Sequence, residues 1–471
     1  MAKRKARAQK PATSAMILGV GSFAHSIGQA LADAGVPQGG ISTYLTRNYG
    51  HFPPSLVGET FSREAFPSPV PLIKKNAVDL VIPQSIDWAL QPWAGELVKS
   101  GVGIFSPTGE AMRIERERDF ARELCAKFKI PFPKSFVASN RIEAEKILAH
   151  HPQPFVIKNP LCSPTSPIHT ILCETVEDTR AWLRQVNYAE GVFLQEYLGR
   201  AEAGHIALVS GGEIHSLVTN QEYKYAFNGN MGIVAGAPLG GLVERDENDK
   251  YGLARELIHP LLPWLRETKF NGPLQVTAVR VGQASSLGAP ASRRPVSHEH
   301  AGETPALPGK WHVIEYNIRI GVTSGPMILR MLKNPLETLL RTARNEKIAP
   351  QFGVPPSGGS GARPPKGGTP NQFGCSLTLA GYGYPFTQVR GPQLPLEVDG
   401  KFDCDVWWNE VARDADGKLS ATGHRIADVI ALAPTLKAAI AKAYANIRKI
   451  RVVGSYFRTD VGQSLWPPGK T

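Results

Sequence analysis

The first regular pattern along the chain is an alternation of short apolar runs with amphipathic stretches. The apolar run 15–20 is closed by glycine and predicts a buried strand that enters a turn, and residues 25–34 predict the helix that follows. Apolar runs at 80–82 and 103–105, with helical stretches between them, predict further parallel strands. This alternation is typical of a doubly wound α/β sheet, so we predict an N-terminal α/β domain at residues 14–110.

The central part of the chain, residues 111–340, mixes strand and helix patterns and predicts an α+β domain. The predicted strands are 155–158, 192–197, 205–209, 214–218, 274–281 and 312–320, and the predicted helices are 110–128, 179–186, 251–267 and 327–339. Residues 373–465 mix strands with a helix at 436–447, which predicts a small C-terminal domain of mixed α/β structure.

Two segments, 283–310 and 353–372, interrupt these patterns. Both are rich in Gly, Pro, Ser and Ala, and both contain a G-x-T-P element. Neither can bury enough apolar surface to offset the entropy lost on ordering, so we predict disordered insertions in surface loops. A binding linker is the alternative for each. The basic residues 1–13 are predicted to be a disordered tail.

Composition and charge exclude several classes of protein. The formal charge of +12 includes five basic residues in the first ten positions, which we interpret as a solvated tail rather than a nucleic-acid arm. Five scattered cysteines without a C-x-x-C pair predict free thiols. Because no apolar run approaches the roughly 20 residues of a membrane span, and the run at 15–20 is broken by glycine, we predict a cytoplasmic protein without a signal peptide.

The sharpest chemical pattern lies in the strand predicted at 312–320. Alternate side chains of a strand share a face, so Glu315, Asn317 and Arg319 are expected to point the same way. The opposite face would then carry Ile314, Tyr316, Ile318 and Ile320. A carboxylate, an amide oxygen and a guanidinium in one row suit a magnesium ion bridged to phosphate oxygens. An amphipathic strand with a solvated polar face would give the same pattern.

Two further elements are compatible with nucleotide binding. Lys158 ends an apolar strand, where its ammonium could contact a phosphate as a point charge, although lysines at strand ends are also common surface residues. The extended segment 193–198, followed by Glu202, could offer backbone groups to an adenine and a carboxylate to ribose hydroxyls. By composition alone that segment is simply another strand.

The order of these three elements resembles that of ATP-grasp enzymes, and the surrounding sequence resembles phosphoribosylamine–glycine ligase from about residue 16 to residue 465. The matching stretches are GVGSFAH at 19–25, IFSPT at 104–108, RDFAR at 118–122, QEYK at 221–224, IEYNIRIG at 314–321, GYGYP at 381–385 and GSYFRTDVG at 454–462.

This resemblance implies an ATP-grasp ligase of de novo purine biosynthesis, with ATP and Mg²⁺ or Mn²⁺ as cofactors. ATP would phosphorylate the carboxylate of glycine, and the amine of 5-phosphoribosylamine would attack the acyl phosphate. The sequence leaves the oligomeric state open, with a monomer favoured. The resemblance also implies site residues in four roles. These are Arg118, Lys158, Glu196, Leu198 and Glu202 for ATP, Glu315 and Asn317 for the metal, Arg319 for catalysis, and Gly21, His25 and Asn230 for substrate.

The chain also departs from the family pattern. After the strand lysine the family has a glycine-rich, lysine-bearing loop, whereas residues 159–167 here contain three prolines, which remove backbone donors. The family's acid after the metal strand is missing at 322–324, and its substrate segment is shortened at 229–232. Two alternatives therefore stay open: an ATP-grasp ligase with another substrate, and a nucleotide-binding homologue without ligase activity.

Overall fold

The computed structural model describes seven stretches of the chain. They are residues 13–46, 56–163, 170–200, 202–281, 309–352, 371–385 and 393–463. The predicted tail at 1–13 and the predicted insertions at 283–310 and 353–372 lie almost entirely outside these residues, so their disorder stays a prediction.

A parallel five-stranded sheet forms the N-terminal part of the described chain, with strand order β3-β2-β1-β4-β5. Its elements are β1 Ala15–Leu18, α1 Ser22–Asp33, β2 Ile41–Leu45, β3 Glu59–Ser62, α2 Val70–Lys75, β4 Leu80–Pro83, α3 Ala94–Lys99 and β5 Gly103–Ile104. The doubly wound arrangement is confirmed. The prediction omitted β2 and β3, because buried Ser42 and Thr43 dilute the apolar signal of β2.

The helix predicted at 110–128 is broken into α4 Arg113–Arg116 and α5 Arg118–Lys127. Glu117 lies between the two helices with an extended backbone (φ −120°, ψ 103°) and forms an isolated antiparallel bridge with Leu161. The break therefore arises from a pairing with residues more than forty positions away, which local pattern does not reveal.

A small four-stranded sheet follows, with strand order β6-β9-β7-β8 and two helices. Its elements are β6 Ser135–Ala138, α6 Arg141–His150, β7 Phe155–Lys158, β8 Ile171–Leu172, α7 Val176–Leu183 and β9 Val192–Glu196. The central strands β7 and β9 pair antiparallel, with Lys158 opposite Phe193, and together with α6 and α7 they enclose a separate apolar core.

The rest of the described chain is built around an eight-stranded sheet with the order β16-β15-β10-β11-β14-β17-β22-β19. The elements up to residue 352 are β10 Glu202–Ser210, β11 Glu213–Glu222, β12 Tyr225–Phe227, β13 Met231–Val234, β14 Gly240–Arg245, α8 Leu253–Leu257, α9 Leu262–Glu267, β15 Gly272–Val281, β16 Lys310–Asn317, α10 Gly325–Met331 and α11 Pro335–Ala343. The elements after residue 370 are β17 Phe373–Ala380, β18 Leu394–Val398, β19 Asp405–Trp408, β20 Val411–Arg413, β21 Leu419–Ala421, β22 Arg425–Ala433, α12 Leu436–Ile447 and β23 Ile450–Arg451.

Three strands of this sheet, β17, β22 and β19, come from the region predicted as the C-terminal domain. They extend the sheet beyond β14, so the boundary predicted between 340 and 373 is not marked by a break in the sheet. Two long helices predicted in the central region are each divided in two. Pro260 accompanies the break between α8 and α9, and Pro335 begins α11, as expected for a residue that cannot donate a helical hydrogen bond.

No helix in the described parts of the chain is long and apolar enough to cross a membrane.

Candidate active site

A cluster of charged side chains lies where the small sheet meets the edge of the large sheet. The ammonium of Lys158, at the end of β7, donates to Gln195 Oε1 at 2.8 Å and to the carbonyl oxygen of Ile314 at 3.4 Å. Gln195 Nε2 donates to the same carbonyl at 3.2 Å. These contacts join β7 and β9 of the small sheet to β16 of the large sheet.

The Ile314 carbonyl is available because β16 carries an irregularity at this residue. Thr277 pairs with Glu315 whereas Ala278 pairs with Val313, so Ile314 has no partner opposite it on β15. The prediction that Ile314 packs on the apolar face is therefore wrong. Val313 and Tyr316 are the buried neighbours, and the bulge directs the Ile314 carbonyl toward Lys158.

Glu315 forms an ion-paired triad with Glu202 at the start of β10 and with Lys224, which lies between β11 and β12. Lys224 Nζ lies 2.9 Å from Glu202 Oε2 and 3.2 Å from Glu315 Oε1, so one ammonium bridges two carboxylates. Burial opposes the ionisation of Glu315, but the positive charges of Lys224, Lys158 and Arg118 outweigh burial and lower its pKa. Glu315 is therefore a carboxylate at neutral pH, which is the form that binds metal ions.

The pKa of the Lys158 ammonium is also shifted by its surroundings. Burial, reinforced by the positive charge of Arg118, lowers the pKa of its ammonium to about 7, although Glu315 and Glu202 act in the opposite direction. A buried lysine with this pKa is partly neutral at physiological pH. An additional negative charge beside it would stabilise its protonated form.

Arg319 and Asn317 lie at the end of β16 and are oriented by a buried acid on α4. Glu115 Oε1 accepts from Arg319 Nε at 3.2 Å, and Glu115 Oε2 accepts from the backbone N–H of Ile318 at 2.6 Å. Burial raises the pKa of Glu115 against the opposing charge of Arg319. Arg319 Nη2 lies 3.4 Å from Asn317 Oδ1, so the predicted guanidinium and amide are neighbours.

Arg118 contacts the start of the proline-containing segment after β7. Its Nε donates to the Asn159 carbonyl at 2.9 Å, and its backbone N–H donates to the Pro160 carbonyl at 3.0 Å. The N–H of Cys162 in turn donates to the Arg116 carbonyl at 2.8 Å. These hydrogen bonds hold residues 159–162 against the junction of α4 and α5. Residues 164–169 lie outside the described residues.

The structure places the residues predicted for adenine and ribose at different distances from the charged cluster. Glu202 belongs to it through Lys224. Glu196 ends β9, where its Oε2 accepts from the backbone N–H of Lys134 at 3.3 Å, and Leu198 is half-buried two residues later. Glu196 therefore contacts the residue that precedes β6 rather than the triad.

Asn230, predicted to contact substrate, is held between two arginines. Its side-chain Oδ1 accepts from Arg458 Nη2 at 2.9 Å, and its carbonyl accepts from Arg200 Nη1 at 3.2 Å. Arg458 is itself buried and paired with Asp460 at 2.5 Å. Arg200 also pairs with Glu174, two residues after β8. Asn230 therefore lies on a polar connection between the small sheet and the C-terminal segment.

Gly21 directly precedes α1 and His25 lies in its first turn, and both are close to residues at the end of β19. A side chain at Gly21, whose φ is +81°, would meet Asn409 Oδ1 at 2.7 Å. His25 is buried, and burial lowers its pKa to about 4, so its ring is neutral at physiological pH. The structure does not bring either residue to the Lys158–Glu315 cluster.

A second group of side chains that could bind a metal ion occurs within the described residues. It consists of His205, Asp246 and Asp249, with one ligand atom of each within 4.8 Å of the others. Both carboxylates already accept hydrogen bonds. Asp246 accepts from Thr219 Oγ1 at 2.6 Å, and Asp249 accepts from two backbone N–H groups at the start of α8. We interpret this group as a structural network. The neighbouring cavity of ≈ 560 Å³, lined in part by Glu244 and Asp246, includes none of the predicted site residues.

Sequence reasoning did not assign site roles to Lys224, Gln195, Glu222 or Glu115. The QEYK stretch contained the signal for Lys224 and Glu222, because it ends a strand that neighbours β10 in the sheet. Glu115 and Gln195 carried no local signal, since their roles depend on partners 204 and 37 positions away, respectively.

Comparison with known proteins shows similarity along most of the chain. Residues 374–464 match the family described as phosphoribosylglycinamide synthetase, C domain. The phosphoribosylamine–glycine ligase of Streptomyces coelicolor is 26% identical over 368 residues, covering 77% of this chain and 78% of the relative. That of Clostridium acetobutylicum is 23% identical over 403 residues, covering 83% and 86%.

Solved structures show the same fold. The Thermotoga maritima phosphoribosylamine–glycine ligase superposes with a TM-score of 0.69 at 20% identity, covering 95% of this chain and all of the other. The biotin carboxylase domain of Hydrogenobacter thermophilus 2-oxoglutarate carboxylase, in complex with MgADP and bicarbonate, gives a TM-score of 0.63 at 13% identity, covering 94% and 91%. The resemblance and the multidomain α/β and α+β fold class predicted from the sequence are confirmed.

Proposed function

We propose that this chain, a divergent relative of the phosphoribosylamine–glycine ligases, is an ATP-dependent carboxylate–amine ligase of that type. It would join glycine to 5-phosphoribosylamine through an acyl phosphate, with release of ADP and phosphate. The observation that carries the proposal is the placement of ionised Glu315 among Lys158, Lys224 and Arg118 at the junction of the two sheets. Such a junction of charged groups suits the binding of a nucleoside triphosphate next to a carboxylate substrate.

The residues around this junction fit a divalent metal ion. Glu315 and Asn317 present a carboxylate and an amide oxygen two residues apart on one strand, and oxygen donors are the ligands that Mg²⁺ and Mn²⁺ prefer. A bound ion would neutralise charge on the ATP phosphates and orient the γ-phosphoryl group for transfer. The ammonium of Lys224, now beside Glu315, would then keep Glu202 as its remaining partner.

The chain's own side chains would perform the remaining tasks. Lys158 and Arg118 would bind phosphate oxygens of ATP, which positions the γ-phosphoryl group beside the carboxylate substrate. Arg319 would stabilise the charge that develops during transfer, since Glu115 holds its guanidinium next to Asn317. The small sheet, which carries Lys158 on β7 and Glu196 and Leu198 at the end of β9, would cover the nucleotide and exclude water.

A direct test is ADP release from ATP and Mg²⁺ in the presence of glycine and freshly prepared 5-phosphoribosylamine. Release that requires both substrates, together with formation of glycinamide ribonucleotide, supports the proposal. ADP release with other carboxylates or amines, and none with this pair, would instead assign the ligase a different substrate. ATP binding without turnover by any substrate would contradict ligase activity.

A different substrate is the second candidate, and the fastening of residues 159–162 favours it. The Arg118 and Cys162 contacts hold the backbone of this segment against α4 and α5, where the family has a flexible glycine-rich loop. A ligase whose phosphate segment is held in this way would depend more heavily on Lys158 and Arg118, and its acceptor specificity could change accordingly.

The affinity for ATP is expected to fall as pH rises from 7 to 9. Lys158 is half-protonated near pH 7 in the free protein, and a bound triphosphate would raise its pKa, so binding takes up a proton above pH 7. The expected loss is on the order of tenfold per pH unit until the pKa of the bound form is reached. Lys158→Arg stays charged throughout and should show little pH dependence.

Titration calorimetry with ATP in two buffers of different ionisation enthalpy measures this proton uptake directly. Uptake that approaches one proton at pH 8 in the wild type, and is absent in Lys158→Arg, is the expected result. Equal proton uptake by the two proteins would show that another group titrates on binding.

A further inference from the structure

A row of four residues crosses the large sheet next to the proposed active site. Glu315 on β16 pairs with Thr277 on β15, Thr277 pairs with Gly204 on β10, and Gly204 pairs with Asn220 on β11. Directly opposed residues of neighbouring strands project from the same face of a sheet. The row therefore places a hydroxyl and an amide on either side of a glycine, and the hydroxyl of Thr277 is one strand away from Glu315.

A small space lies beside the glycine in this row. A Cβ at position 204 would lie 2.3 Å from Asn220 Oδ1, so a larger residue would displace the amide. The space measures ≈ 10 Å³, about the room of a single water-sized group. Its lining includes Asn220, Thr277, Glu202, Glu222 and Lys224.

Two polar atoms that line this space have no hydrogen-bond partner among the described residues. They are Asn220 Oδ1 and Thr277 Oγ1, in side chains that are 1% and 4% exposed. Burying a polar atom without a partner costs on the order of 1–3 kcal/mol, so native proteins retain such atoms for a ligand, a water or a functional purpose. The Asn220 amide is oriented, because its Nδ2 donates to Ser324 Oγ at 3.3 Å and leaves Oδ1 facing away from that bond.

The groups around the space match a small cation that donates hydrogen bonds. Asn220 Oδ1 can only accept, Thr277 Oγ1 can accept, and the carboxylate of Glu202, which is ion-paired with Lys224, supplies negative charge. Lys224 is the one ammonium in the lining, and it is engaged with Glu202 and Glu315. A carboxylate ligand in the same space would face mostly acceptors and would not be stabilised.

We propose that this space is the seat for the primary ammonium group of the carboxylate substrate. Asn220 Oδ1 and Thr277 Oγ1 would accept its hydrogen bonds, and Gly204, which has no Cβ, would leave room for the Asn220 amide in this seat. The substrate carboxylate would then lie on the Glu315 side of the row, beside Lys224 and Lys158, where the γ-phosphoryl group is delivered. This inference rests on the proposed function and adds to it the residues that select an unsubstituted α-amino acid.

Thr277→Val tests the seat with little change in shape. The variant should bind glycine at least about tenfold more weakly in titration calorimetry with ADP and Mg²⁺ present, because it loses a hydrogen bond to a charged group. The KM for glycine should rise by the same factor, and the KM for ATP should stay within about twofold. Trimethylglycine, whose ammonium carries three methyl groups, should not bind to the wild type, because the seat holds one water-sized group.

Thr342→Val is the matched control, since Thr342 Oγ1 is likewise buried without a partner among the described residues but lies on α11, outside the seat. Both variants should keep or slightly raise the melting temperature, because each removes an unpartnered buried hydroxyl. Glycine binding that is unchanged in Thr277→Val, or lowered equally in Thr342→Val, would overturn the assignment.

Failure of the proposed function can be separated from failure of the seat. If the wild type shows no ligation of glycine, the melting temperature is measured with methylammonium and with glycine in the wild type and in Gly204→Ala. A rise in the wild type that is absent in Gly204→Ala supports an ammonium seat in a protein with another substrate. No rise with either compound overturns the seat together with the function.

Discussion

Glu315→Gln is expected to reduce metal-dependent turnover on the order of 10³-fold while leaving the fold intact. The substitution keeps the size of the side chain but removes the negative charge that Lys224, Lys158 and Arg118 stabilise. A neutral amide is a weaker ligand for Mg²⁺ than a carboxylate and cannot balance the charge of the surrounding cations. The loss should appear in kcat, because metal-assisted charge stabilisation acts mainly in the transition state.

The measurement is the rate of ADP release at saturating ATP over a range of Mg²⁺ concentrations. Glu256→Gln, the same substitution at an exposed position on α8, is the control and should retain wild-type turnover. Circular dichroism of all three proteins establishes that the variants are folded. A Glu315→Gln enzyme within threefold of the wild-type rate would remove Glu315 from the proposed metal site.

The parts of the fold that were predicted correctly are those whose signal is local. The apolar runs of β1, β4, β7 and β15 and the periodicity of α12 determine their own structure, and α12 was placed at its observed bounds, Leu436–Ile447. Each of these elements has an uninterrupted pattern and a distinct end. The fold class followed from their order, and the comparisons confirm it.

The parts that were missed depend on partners far away in the sequence. Glu117 interrupts a helical pattern because it pairs with Leu161. The residues around Glu117 in the sequence do not indicate this long-range pairing. The bulge at Ile314 leaves the apolar–polar alternation of the sequence intact, yet it changes which residues face the core. Strict alternation therefore predicted the polar row correctly at Glu315 and Asn317 but misplaced the residue whose carbonyl meets Lys158.

The candidate site shows the same division. Residue type and spacing indicated Lys158, Glu315, Asn317 and Arg319, because charged and amide side chains at these positions of a predicted strand already suggest phosphate and metal binding. The ion pair of Lys224 with both Glu202 and Glu315 was not predictable, since it requires the order of β11, β10, β15 and β16 in the sheet. The substrate roles given to Gly21 and His25 stay predictions, and their observed neighbours lie in the C-terminal strands.

Those neighbours form a buried polar junction between the N-terminal sheet domain and β22, centred on Asp428. One carboxylate oxygen accepts from Ser22 Oγ at 2.5 Å and Asn409 Nδ2 at 2.9 Å, and the other accepts from Thr378 Oγ1 at 2.5 Å and Arg425 Nη2 at 2.8 Å. The side chain is 1% exposed. Burial opposes its ionisation, but Arg425 and the three neutral donors outweigh burial and lower the pKa of Asp428.

Asp428→Asn is therefore expected to lower the free energy of unfolding by about 3–5 kcal/mol at pH 7, because it leaves the Arg425 guanidinium, whose side chain is only 15% exposed, without its counter-charge. An amide also cannot accept from all four donors. Denaturant unfolding of the wild type, Asp428→Asn and the exposed control Asp416→Asn measures the loss, with the control expected within about 0.5 kcal/mol of the wild type.

A carboxylate with a lowered folded-state pKa stabilises the protein fully above its unfolded pKa of about 4, and this contribution disappears as pH falls through the folded value. The difference between wild type and Asp428→Asn should accordingly shrink below about pH 4; a difference that is small at pH 7, or that grows on acidification, would show that the junction does not depend on this charge.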